Sequence, residues 1–219
     1  MHPRRNLSVA AALALLGLLQ APQSAAREIH YGAIDHPRLN ACDALAWRGR
    51  EDESGRCYRE LVSATGDPVI GAEAFWALGD IKSANTLFQE AVKARPDDPV
   101  ARLRWGGLFM ETYQYQDALD LFNEALALDP DNAYARVGAA SALAETFEAD
   151  AMKYLEPVLK DDGAPAGALF QARLLLARMA MESTDMDRAS TILREAEEIA
   201  ARAELPPLEI YGYYAARDL

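Results

Sequence analysis

Two cysteines, three histidines and a large excess of carboxylates are the groups in this 219-residue chain with the most chemical potential. Cys42 and Cys57 could form a disulfide, remain buried thiols or bind a metal. Structural zinc takes four protein ligands, and His30 and His36 are the only histidines besides His2, so a metal site is disfavoured. The acid–base and nucleophile patterns of common hydrolases are missing: there is no H-E-x-x-H, no G-x-S-x-G and no phosphate-binding glycine loop. Carboxylates are plentiful, with 34 acidic against 22 basic residues and a net charge of −12. In so acidic a chain, paired carboxylates read first as solvated helix faces. These residues therefore point to a protein that is not an enzyme and uses no cofactor or metal. Its charge opposes phosphate backbones and anionic lipid surfaces, so the expected partner is a protein or peptide and not a nucleic acid.

The first residues suggest where such a protein works. A basic start, His2-Pro3-Arg4-Arg5, precedes the apolar run Leu7 to Leu19 and the small residues Ala21 to Ala26. This order reads as a secretory signal spanning residues 1–26 and cleaved after Ala26. The alternative, an uncleaved anchor, is weakened because the apolar run falls short of the roughly 20 residues that span a bilayer. A lipid-modified cysteine is disfavoured, since the first cysteine is Cys42, and ordinary export is preferred to the twin-arginine route that Arg4-Arg5 suggests. The expected compartment is periplasmic or extracellular, which permits disulfides. Residues 27–36 are expected to form a flexible segment, and no stretch after Ala26 is apolar enough for membrane insertion.

Half the composition is apolar, at 51%, and rich in Ala and Leu, which favours helices over strands. Residues 37–66 read as a helical pair, with Gly49 near the turn and Tyr58 and Leu61 facing inward. A hairpin centred between Gly49 and Arg50 sets Cys42 opposite Cys57. A disulfide there is worth about 3 kcal/mol in loop entropy; two buried thiols are the competing reading.

The most informative feature is periodic. From Pro99 to Asn132 the chain reads PVARLRWGGLFMETYQYQDALDLFNEALALDPDN, punctuated by Trp105, Gly106, Phe109, Ala118, Phe122, Ala125 and Pro130. Upstream, Ala84, Phe88, Ala91 and Pro96 anticipate the second half of this unit, 34 residues earlier. Asp67-Pro68 is a plausible helix start, and Gly79-Asp80 a turn. Downstream, Ala140, Ala151, Leu155 and Val158 repeat the spacing with one residue missing, and Pro157 is expected to distort its helix. Ala177, Ala189, Leu193 and Ala196 mark a fourth unit after an insertion around Asp161 to Pro165.

This pattern resembles the tetratricopeptide repeat, two antiparallel helices in about 34 residues. Small residues such as Gly106 and Ala118 let the helices approach, while Phe109 and Phe122 fill the space around them. Arg102 stands where the pattern has a large residue, which weakens one packing position. The resemblance implies an all-α, right-handed superhelical solenoid of antiparallel helix pairs, with units at 67–98, 99–132, 133–163 and 164–204. Residues 205–219 are expected to form an unpaired C-terminal helix, bearing Tyr211, Tyr213 and Tyr214. That helix is either an unusual cap or the start of a further repeat.

In such solenoids the first helix of each unit lines a concave wall that binds peptides. Transferring the wall positions names Glu73 and Trp76; Leu103, Met110 and Glu111; Tyr134, Val137, Ser141 and Glu145; and Gln171, Leu174, Arg178, Met181 and Glu182. Trp76, Met110, Tyr134 and Met181 make an apolar floor. Glu111, Glu145 and Glu182 recur near helix C-termini, where a carboxylate opposes the helix dipole by about 0.3–1 kcal/mol. A basic, partly apolar partner would explain them. The competing reading makes them solubilising residues, and Trp76 and the methionines part of the core. Val100, Leu103 and Gly107 replace the residues with which some relatives clamp a C-terminal carboxylate. The implied function is an exported scaffold that binds a protein partner, in envelope assembly for example. Alternatives are an accessory region of a larger exported enzyme, such as a peptidase, or a structural homo-oligomerisation module.

Overall fold

Helix starts in this chain are written in short polar side chains. Asp67 accepts from the Val69 amide at 2.8 Å and Asp98 from the Val100 amide at 2.9 Å. Each is followed by a proline, whose missing N–H is harmless in the first turn. Asp80, Asn132 and Asp185 cap in the same way, onto the amides of Ser83, Ala135 and Arg188. The computed structural model describes residue 32 and residues 34–146 and 150–205. The segment expected to be a leader, at 1–26, and the tyrosine-bearing residues 206–219 of the expected C-terminal helix lie outside them.

Among the described residues there are ten helices and no strand. They are α1 (Pro37–Trp47), α2 (Glu51–Ala64), α3 (Pro68–Ala77), α4 (Ile81–Ala94), α5 (Pro99–Glu111), α6 (Tyr115–Leu128), α7 (Ala133–Glu145), α8 (Ala151–Lys160), α9 (Ala166–Glu182) and α10 (Met186–Arg202). Successive helices pair as α1/α2, α3/α4, α5/α6, α7/α8 and α9/α10. Each second helix also packs on the first helix of the next pair, and α7 packs on both α5 and α9. First helices thus form a wall along the stack. No helix among the described residues is long and apolar enough to cross a membrane.

One side chain shows how the pairs interlock. Phe122 on α6 is fully buried, and a Cβ added at Gly106 on α5 would lie 2.7 Å from its ring. A Cβ added at Gly138 on α7 would lie 2.6 Å from the same ring. Two glycines in consecutive units therefore admit one phenylalanine, and α6 joins α5 to α7 through it.

Within several pairs an arginine on the first helix is tied to a glutamate on its partner. Arg102 reaches Glu124 at 2.9 Å, Arg38 reaches Glu60 at 3.2 Å and Arg173 reaches Glu195 at 2.8 Å, each pair 22 residues apart. The Arg102 side chain, only 12% exposed, lies against the pair as a large apolar residue would, its stem packed and its head pinned. The position is filled by another means and is not simply weakened.

The first pair carries the disulfide. Cys42 on α1 and Cys57 on α2 are bonded, with Cα atoms 5.4 Å apart. Beside it, the Tyr58 hydroxyl donates to Asp43 at 2.5 Å, and Tyr58 and Leu61 are buried. In the degenerate unit, α8 has ten residues where α4 and α6 have fourteen. It runs on through Pro157, which is exposed, while Leu155 and Val158 are buried.

Candidate peptide-binding groove

The wall formed by α3, α5, α7 and α9 collects the residues picked out by spacing, but in different environments. Glu73, Trp76, Leu103, Val137, Gln171 and Leu174 are buried. Met110, Tyr134, Ser141, Glu145, Arg178 and Met181 are half-buried, and Glu111 and Glu182 are exposed. Leu103 belongs to the cluster around Phe122, with Met110 and Tyr134 packed against it. Leu174 and Met181 pack between α9 and α10.

Neighbouring units are stitched along this wall by polar contacts. The Trp76 indole N–H donates to Glu111 at 2.7 Å, and Trp76 meets Phe88 edge-on with centroids 6.2 Å apart. Glu73 receives two hydrogen bonds from Arg104, from Nε and from Nη2, each at 2.7 Å. Both side chains are at least 96% buried, and the guanidinium carbon lies 5.9 Å from the Trp76 ring centre. Further along, Arg178 donates to Glu145, and its Nε lies 3.7 Å from Glu182. The carboxylates at the helix ends are therefore unequal. Glu145 shares a cation and Glu111 accepts an indole proton, whereas Glu182 is only loosely paired. Near this end the Tyr115 phenol titrates above its usual range, first through desolvation and then through the charges of Glu145 and Tyr113, with Arg178 opposing.

Arg104 was not among the residues found by spacing, and it organises the wall's upstream half. Besides Glu73 it donates from Nη1 to the Gly32 carbonyl at 3.0 Å. Ile34 packs both on the cluster around Trp76 and on that around Cys42, and the His36 imidazole accepts from the Leu39 amide at 3.2 Å. Gly32 and Ile34 thus touch the stack and His36 caps α1, within the 27–36 segment whose sequence reads as flexible. The available signal was the charge of Arg104 within an otherwise apolar helix face, 31 residues after Glu73.

Residues 71–133 and 103–151 match the sequence profile of the tetratricopeptide repeat. The central helix pairs thus match the tetratricopeptide repeat in sequence, and the fold is a tetratricopeptide-like all-α solenoid. The chain is similar to TTC0263, a thermophilic TPR protein of Thermus thermophilus, with TM-score 0.66 and 19% identity over 83% of this chain and 97% of that one. It is also similar to yeast Tom70, with TM-score 0.58 and 18% identity over 98% of this chain and 43% of that one. MamA from Desulfovibrio magneticus RS-1 aligns with TM-score 0.53 and 20% identity, over 84% of this chain and 98% of that one. No curated protein matches the chain. At these identities the likeness carries the fold, and the chemistry of the groove rests on its own side chains.

Proposed function

We propose that the chain is an exported scaffold that holds a segment of another protein in the groove along α3, α5, α7 and α9. The observation that carries this reading is the composition of the wall: half-buried Met110, Tyr134 and Met181 beside the exposed carboxylates of Glu111 and Glu182. Apolar surface of this kind offers contact area to a partner, and the acidic residues select basic segments and speed their approach. Solenoids of helical pairs commonly use this wall for recognition. The basic and apolar leader supports a periplasmic or secreted setting, with envelope assembly as the process served. Catalysis is no part of the proposed role.

Charge replacement at the two exposed carboxylates tests the reading. Glu111→Gln keeps an oxygen for the Trp76 N–H, and Glu182→Lys reverses a charge that holds no close internal bond. Combined, they are expected to weaken partner capture severalfold and flatten its dependence on salt. Capture with unchanged strength and salt dependence would contradict the proposal.

A further inference from the structure

We propose that the upstream half of the groove reads peptide main chain, and that its resident occupant is the chain's own segment at Gly32 and Ile34, held in cis. A partner that takes this place is a segment with glycine in the left-handed conformation against Tyr134 and an aliphatic residue two positions further on. The inference deepens the groove reading and rests on it.

Three contacts define the site. Glu73 engages Nε and Nη2 of Arg104, which fixes the guanidinium plane and directs Nη1 at the Gly32 carbonyl. A carbonyl is common to every peptide, so this buried cation recognises main chain, whatever the side chain. Selectivity comes from the neighbours. Gly32 has φ +76°, which disfavours any residue with a Cβ, and a Cβ there would also press on the Tyr134 ring at 3.1 Å, a contact the ring would have to yield to. Ile34 supplies the apolar anchor, set against the clusters around Trp76 and Cys42. Donor and acceptor are 72 residues apart, so local chain geometry does not impose the contact.

Tethering explains why this occupant sits in cis. α1 begins at Pro37, directly after the His36 cap, so Gly32 is linked to the stack by a few residues. A tether that short gives an effective concentration in the millimolar range, above that of most free partners. An incoming segment therefore has to outcompete Gly32 and Ile34 and to match their pattern.

The test uses a fluorescein-labelled peptide with the sequence Arg27 to His36, added to the purified full chain and followed by anisotropy. Gly32→Val in the chain should expel the resident segment, and the peptide should then bind at least about tenfold more tightly than to the wild-type chain. Ile34→Ser, which removes the anchor without a backbone constraint, should open the site in the same direction. A peptide carrying Gly32→Val should bind the opened chain roughly tenfold more weakly than the native peptide. Equal peptide affinity for wild-type and both variant chains, each with unchanged circular dichroism, would overturn the inference. So would a wild-type dimer that Gly32→Val converts to monomer, since the occupant would then belong to a second copy. If partner capture fails while the peptide still binds the opened chain, the scaffold reading falls and the cis site stands. If capture succeeds and the peptide never binds, only the cis site falls.

Discussion

A methyl group at Gly106 would lie 2.7 Å from the Phe122 ring, and one at Gly138 2.6 Å from it. Phe122 is fully enclosed and cannot swing aside. Alanine at either glycine gains up to about 1 kcal/mol in helix propensity, but overpacking a closed core costs about 1–3 kcal/mol. Urea unfolding should therefore show each variant less stable than wild type, and Phe122→Leu should soften the penalty. Tyr113 presents the opposite case. It has φ +61° at the α5/α6 turn, where the α3/α4 turn has Gly79 at +77°, and its side chain is 79% exposed. Tyr113→Gly should raise stability by about 1 kcal/mol in thermal or urea melts, because left-handed backbone is costly for a residue with a Cβ. Gly106 and Phe122 were legible in the sequence because the repeat spacing singles them out. The role of Gly32 was not, because its bonding atom is a main-chain carbonyl that no side-chain pattern announces.

Charge placement governs how one helix is fixed to the next. Glu73 on α3 and Arg104 on α5 form a pair that is almost wholly buried. Removing one partner leaves the other charge stranded, so Glu73→Ala should cost about 3–5 kcal/mol. The double variant Glu73→Leu with Arg104→Met should recover most of that loss in the same unfolding assay. At the start of α4 the Asp80 carboxyl titrates below its ordinary range, mainly through the Ser83 amide and then the Ser83 hydroxyl, with Lys82 assisting and desolvation opposing. A depressed folded-state value means that its stabilisation is present above the ordinary carboxylate range and fades as pH falls through the lowered value. The stability gap between wild type and Asp80→Ala should thus be widest near neutrality and close in acid, as urea titrations at several pH values would register. The helix order and the Cys42–Cys57 pairing were legible from periodicity and from the hairpin centred near Gly49. The ties from Arg38, Arg102 and Arg173 were there to be read as opposite charges 22 residues apart. The Glu73–Arg104 contact crosses units, and although spacing names Glu73, Arg104 lies at none of the wall positions, so the contact emerged only from the packed stack.

Across the whole molecule, stability is passed between neighbours, and a terminal pair has only one of them. The disulfide lies in the first of the described pairs, together with the Tyr58–Asp43 hydrogen bond. Ile34 packs on the cluster formed there, so the staple also supports the residue that anchors the proposed cis segment. The remaining wall combines apolar area with carboxylates of which Glu182 is the least engaged. Its function depends on which face of the solenoid meets a partner, and site-specific photocrosslinking in the native cell addresses that most directly. A photoreactive residue at Met110 or Met181 samples the wall of first helices, while one at the exposed Gln89 or Leu128 samples the second helices. The groove account predicts a discrete protein adduct from Met110 and Met181 and none from Gln89 or Leu128. Adducts from Gln89 or Leu128 alone would contradict it.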